Sequence, residues 1–180
     1  MNPPNLLTLS RFGMALLLMV CLSVTFPGAM IAALIIFILA ALTDALDGHL
    51  ARTVYGCTDF GKLMDPLADK VLTAAAFIGF VGAGIMPAWM VTLILAREFM
   101  VTGLRLLAAD KGIVLAAGIW GKHKTVWQMV FIIAVLFGGV FQCLENCGAL
   151  LWWGGLFVTA LSVWSGWHYF RQNKTLLTAK

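Results

Sequence analysis

Six long apolar stretches occupy almost the whole chain, near residues 6–23, 29–50, 61–81, 88–107, 126–140 and 150–169. Crossing a hydrocarbon core takes about 20 residues of α-helix, so the pattern predicts an all-α integral membrane fold with six transmembrane helices in one bundle. Composition agrees. Hydrophobic residues make up 62% of the chain and charged ones 11%, where a soluble domain carries about a quarter charged. With 180 residues in total, six crossings and short loops account for the sequence, and residues 1–180 are expected to form a single domain. Pro27-Gly28 and Pro87 mark breaks between helices. Residues 1–11 are expected to form a short interfacial segment ahead of the first span, because Asn5, Thr8 and Arg11 recur at i, i+3, i+6 before the fully apolar run. Met1-Asn-Pro-Pro has no basic n-region and no small-residue cleavage site follows the first apolar run, so no cleavable signal peptide is expected.

Charge orients such a bundle. Arg11, Arg52, Lys62, Arg105, Lys111, Lys122, Lys124, Arg171, Lys174 and Lys180 fall on one side of the six-span reading, and the opposite loops contain no lysine or arginine. By the positive-inside rule both termini face the cytoplasm. The expected location is a multi-pass position in a bacterial cytoplasmic (inner) membrane. The net charge of +4 then serves orientation and contact with anionic lipid headgroups, and needs no nucleic-acid partner. Trp89, Trp152, Trp153, Trp164 and Trp167 lie near helix ends, as an aromatic belt would.

Against this greasy background stand two pairs of aspartates, Asp44 with Asp47 and Asp65 with Asp69. An ionised side chain at the centre of a membrane helix costs roughly 2.5–3.5 kcal/mol on the insertion scale, so such residues point to function. Spacings of i, i+3 and i, i+4 put each pair on one helix face. Four carboxylates can converge on one cage, two divalent cations would neutralise them, and ligation by oxygen alone suits magnesium, manganese or calcium. Gly48 and Ala51 continue the first stripe, while Thr58 and Gly61 precede the carboxylates of the second. The small residues leave space beside the metals. Arg52 closes the first helix, and its guanidinium can bridge two phosphate oxygens, so the cage reads as a diphosphate site. Asp59 lies in the same stretch outside the stripe and is read as a loop or interface acid.

Written out, Asp44 to Asp69 is DALDGHLARTVYGCTDFGKLMDPLAD. It matches D-x2-D-G-x2-A-R-x8-G-x3-D-x3-D at every fixed position, and so resembles the signature of the CDP-alcohol phosphotransferase family. What the resemblance implies is specific. Asp44, Asp47 and Asp65 would hold two divalent ions, Mg2+ or Mn2+, with Asp69 as a further ligand and the general base. Gly48, Ala51, Arg52, Thr58 and Gly61 would receive the nucleotide lipid, joined by Asn5, Thr8 and Arg11 at its entrance. The family also implies a homodimer.

Shorter pieces narrow the resemblance to the branch of the family that uses CDP-diacylglycerol and glycerol 3-phosphate. They are Asn5-Leu-Leu-Thr8-Leu-Ser-Arg11, Ala96-Arg97-Glu98 with Gly103-Leu-Arg105, and Gly121-Lys122-His123-Lys124-Thr125. Arg97, Arg105, Lys122 and Lys124 form a second basic group on the side of the cage, suited to the phosphate of an acidic acceptor. Arg97 lies midway along an apolar helix and is expected to face a cavity. Within the family the alternative is a sibling with serine, inositol phosphate or phosphatidylglycerol as acceptor. Outside it, the alternative is a divalent-cation transporter, since carboxylates in a helical bundle can also line an ion path. His49, His123 and His168 have no partner at metal spacing. Cys143 and Cys147, in a loop expected on the outer side, are spaced so that a local disulfide is one outcome, while Cys21 and Cys57 read as single thiols.

Overall fold

Among the described residues the chain is all helix, with no strand: α1 (Pro3–Ser23), α2 (Ala29–Leu50), α3 (Asp59–Gly82), α4 (Ala88–Asp110), α5 (Ile119–Val140) and α6 (Gly148–Gln172). This computed structural model describes the backbone of residues 3–24, 26–50, 59–110, 112, 113, 115, 118–144 and 146–174. It describes the side chains of 9–24, 26–43, 67, 68, 70–109, 112, 113, 115, 118–144 and 146–174. The helices start and stop where the sequence offers punctuation. Pro3 and Pro4 occupy the first turn of α1, where a missing N–H costs nothing. Gly28 and Gly84 take φ values of +84° and +72° in the turns after α1 and α3, a region open to glycine.

Two expectations about boundaries change. Residues 3–11 are the opening turns of α1 itself, so the anticipated interfacial segment is not a separate helix. Helix α5 begins at Ile119, about two turns before the apolar stretch at 126. Its polar first turns were indistinguishable from a loop by hydropathy, and they turn out to be helical because one face of them lines a cavity.

Helix α1 packs along α2 and α3, α2 on α5, and both α4 and α5 on α6, with α3 touching α4 and α5. Directions follow from single contacts. A Cβ at Gly79, late in α3, would lie 2.5 Å from Leu22 Cδ1, late in α1, so this pair runs parallel. A Cβ at Gly139, late in α5, would lie 2.9 Å from Met30 Sδ, early in α2, so that pair runs antiparallel. The α1–α2, α3–α4 and α5–α6 turns gather at one end, where Phe26, Gly28 and Gln142 share one hollow and Ala83, Leu144 and Gly148 another. The other end holds the C-terminal turns of α2, α4 and α6 and the N-terminal turns of α3 and α5.

An apolar core fills the middle and the turn-rich end. Phe77, Phe80 and Phe131 meet with ring centroids 6.3–6.5 Å apart, flanked by Phe37, Leu72, Met90, Ile94 and Leu136. Outward, the bundle exposes Leu16, Leu17, Ile35, Leu93, Val130, Phe157 and tryptophans 89, 152, 153, 164 and 167. A soluble monomer rarely shows so large an apolar surface. Helices α5 and α6 are each long and apolar enough to cross a membrane, and Leu9–Ser23, Ala29–Thr43 and Lys70–Gly82 are shorter apolar stretches. Cys143 and Cys147 are free thiols. They lie in the α5–α6 turn, where the Cys147 N–H donates to the Cys143 carbonyl at 3.1 Å, and Cys143 Sγ donates to the Gly138 carbonyl at 3.4 Å.

Candidate active site

The aspartates occupy the end of the bundle opposite those turns. Asp44 and Asp47 lie in the last two turns of α2, and Asp65 and Asp69 in the first three turns of α3. Both helices are continuous there, so the i, i+3 and i, i+4 registers hold. The side chains of these four residues, and of Asn5, Thr8, Gly48 and Gly61, lie outside the described set, as do Ala51, Arg52 and Thr58 altogether. The donor chemistry fits a divalent cation: four carboxylates at helical spacing, on two neighbouring antiparallel helices, offer hard oxygen ligands only. Arg11, expected at the nucleotide-lipid entrance, is fully buried in α1.

One turn deeper than Asp69 along α3, a polar cavity of about 440 Å³ opens between α3, α4, α5 and α6. Arg97, Arg105, Lys122 and Lys124, named from sequence as one basic group, all line it. Helical spacing explains how. On α4, Glu98, Thr102 and Arg105 follow i, i+4, i+7; on α5, Gly121, Lys124, Thr125 and Gln128 follow i, i+3, i+4, i+7. Each run presents one polar stripe inward. Gly118 caps α5 without a side-chain hydrogen bond, and no acid stands in its first turn. The positive end of the α5 dipole therefore adds to the basic charge.

Glu98 organises the group. Its Oε1 accepts from Lys124 Nζ and, at 3.2 Å, from Arg97 Nη1. The side chains of Lys124 and Glu98 are 5% and 14% exposed, too buried for either to be charged alone. Lys70 Nζ donates to Thr102 Oγ1, whose own hydroxyl donates to the Glu98 carbonyl at 2.7 Å. Arg105 Nε donates to the Tyr169 hydroxyl at 3.2 Å, and its guanidinium lies 5.5 Å from that ring's centroid. Four helices are thus tied by charged contacts around one space. Among the described residues five basic side chains, Lys70, Arg97, Arg105, Lys122 and Lys124, face it against the single carboxylate of Glu98. Such an excess within a membrane bundle is stable only with water or an anion in the space.

Arg97 reaches this cavity by crossing over α6. A Cβ at Gly166 would lie 2.7 Å from Arg97 Cγ and 3.5 Å from its Nε, so the absence of a side chain at Gly166 lets the arginine stem pass. Reading the sequence missed Gly166, Lys70, Gln128 and Tyr169. The α5 stripe carried a signal for Gln128, and Lys70 follows directly after Asp69. Gly166 and Tyr169 gave none, because their roles depend on the α4–α6 contact.

Comparison with known proteins bears on the same chain. The family described as CDP-alcohol phosphatidyltransferase matches residues 1–164. A Bacillus subtilis (strain 168) protein named CDP-diacylglycerol–glycerol-3-phosphate 3-phosphatidyltransferase is 40% identical, covering 96% of this chain and 95% of its own. Proteins of the same name from Rickettsia bellii (strain RML369-C) and Rickettsia prowazekii (strain Madrid E) are each 32% identical. The first covers 96% of both chains, the second 97% of this chain and 96% of its own.

Proposed function

The chain belongs to the CDP-alcohol phosphatidyltransferase family, and from that premise we propose that it transfers a phosphatidyl group from CDP-diacylglycerol to glycerol 3-phosphate, giving phosphatidylglycerophosphate and CMP. The observation that carries the choice of acceptor is the cavity lined by five basic side chains one turn from Asp69. A neutral acceptor such as serine would leave that charge uncompensated, whereas the phosphate of glycerol 3-phosphate pairs with it through charge-assisted hydrogen bonds. Relatives named for this reaction, aligned over nearly the full chain, support the same reading.

In this mechanism Asp44, Asp47, Asp65 and Asp69 would hold two divalent cations, Mg2+ or Mn2+. When bound, the ions neutralise the diphosphate and stabilise the leaving phosphate of CMP. Arg105, Lys122 and Lys124 hold the acceptor's phosphate, with Arg97 and Glu98 fixing their arrangement. Asp69 takes the proton from the primary hydroxyl. The hydroxyl oxygen bonds to the β-phosphorus as the bond from that phosphorus to the bridging oxygen breaks, and CMP leaves with that oxygen. Gly48, Ala51 and Gly61 leave room for the nucleotide, and Arg52 and Thr58 bind its phosphates or ribose, with Asn5, Thr8 and Arg11 near its entrance.

Six spans, with both termini and the site at the cytoplasmic face of a bacterial inner membrane, complete the reading. It is supported by the turns 24–28, 83–87 and 141–147, none of which contains a lysine or arginine. The lipid donor then enters sideways from the membrane and the dissolved acceptor from the cytoplasm. A homodimer is part of the reading through the family. The role of Asp69 is tested by Asp69→Asn, which should abolish turnover while leaving CDP-diacylglycerol binding measurable. Near-normal CMP release by that variant would remove Asp69 as the base.

A further inference from the structure

Among the described residues Arg97 Nε, Ser162 Oγ and Gln128 Nε2 are buried with no hydrogen-bond partner. Gln128 alone combines that property with a neutral side chain lining the polar cavity. It is 3% exposed. It is also the innermost polar residue of the α5 stripe, since Phe131 just beyond belongs to the aromatic core. Burying a carboxamide with its N–H unsatisfied costs free energy that an apolar side chain of the same length would not. Loading the cavity with a partner removes that cost.

We propose that Gln128 is a specificity-determining residue for the acceptor, pairing at the floor of the cavity with the secondary hydroxyl of glycerol 3-phosphate. The inference rests on the reading of this cavity as the acceptor site and adds to it the group that reads the carbon chain. Three parts of the acceptor then meet three surfaces. The phosphate meets the cations of α4 and α5, the primary hydroxyl faces the aspartate turn of α3, and the secondary hydroxyl meets Gln128. A hydroxyl both donates and accepts, so it pairs with either end of a carboxamide. The neutral carboxamide adds no charge beside the phosphate-binding lysines, as a carboxylate there would.

The test compares glycerol 3-phosphate with 3-hydroxypropyl phosphate, which keeps the phosphate and the primary hydroxyl and lacks the secondary one. A site that hydrogen-bonds a substrate hydroxyl rejects the analogue without it, and the unaltered protein should favour glycerol 3-phosphate by at least about tenfold in kcat/KM. Gln128→Met, close in length and without polar atoms, should shrink that preference to about twofold or less while the turnover of the analogue is retained or improved. Equal use of both acceptors by the unaltered protein overturns the proposal, and this arm requires no variant to fold. A Gln128→Met protein that keeps the full preference also overturns it. Removal of a merely structural glutamine would shift thermal stability and leave the ratio between acceptors alone. Absence of CMP release with either acceptor, in folded unaltered protein with donor and divalent metal, instead refutes the acceptor reading on which the proposal rests.

Discussion

Gly166→Ala places a methyl group in the path of the Arg97 side chain. The new methyl carbon would stand 2.7 Å from Arg97 Cγ, whereas carbon atoms in contact settle about 3.5–4.0 Å apart. The obstacle is the middle of the arginine stem, so swinging the guanidinium does not relieve it. Arg97 must retreat by about 1 Å or α6 must shift away from α4, and a misplacement of that size in a positioning group can cost as much as about 10²-fold in rate. Arg97 Nη1 donates to Glu98, which also holds Lys124, so the disturbance passes to the acceptor cations. We expect KM for glycerol 3-phosphate to rise roughly ten- to a hundredfold, with KM for CDP-diacylglycerol nearly unchanged. Stability should change less. Alanine gains about 0.5–1 kcal/mol over glycine inside a helix, against roughly 1–3 kcal/mol for overpacking. Initial rates of CMP release at varied acceptor and donor, with melting followed by circular dichroism, separate the two effects. Gly13→Ala is the control, since a Cβ there meets nothing within 4 Å. An unchanged acceptor KM in folded Gly166→Ala protein, or equal increases for donor and acceptor, would refute the reasoning.

Other expectations concern the charged network and the metals. Lys124→Ala should raise the acceptor KM more than the donor KM and lower thermal stability, because it removes the buried Glu98–Lys124 ion pair; an acceptor KM equal to that of the unaltered protein would contradict this. In a double-mutant cycle of Glu98→Gln with Lys124→Met, the two effects on stability should fail to add by about 1–3 kcal/mol, and additivity would show the pair to be energetically independent. Removing divalent ions with a chelator should stop CMP release and leave helical circular dichroism in place, with activity returning on addition of Mg2+ or Mn2+; full turnover in chelator would contradict the metal assignment.

Periodic features could be read from the chain, and features made by contacts between distant segments could not. The helix boundaries at Pro27-Gly28 and Pro87 were legible because these residues interrupt a helix locally. The Asp44–Asp47 and Asp65–Asp69 registers were legible because helical spacing is a property of sequence. The basic group Arg97, Arg105, Lys122 and Lys124 was found for a related reason: charge in an apolar chain is conspicuous, and all four residues line one cavity. The start of α5 was obscured because hydropathy treats Gly121 to Lys124 as a loop, although their polarity serves a cavity and not bulk water. Glu98 could be seen beside Arg97. Its bond to Lys124, 26 residues away, depends on how α4 meets α5. The use of Gly166 as a passage for Arg97 likewise exists only where α4 crosses α6.

The central claim is that the aspartate-bearing turns and the basic cavity together join a lipid donor to glycerol 3-phosphate. Its most direct test is to incubate purified protein with CDP-diacylglycerol, Mg2+ and isotopically labelled glycerol 3-phosphate, and to weigh the lipid product by mass spectrometry while counting CMP. The account predicts labelled phosphatidylglycerophosphate and CMP in equal amounts, with no lipid product when serine or inositol phosphate replaces the acceptor. A product built on one of those acceptors, or CMP released without label entering lipid, would contradict it.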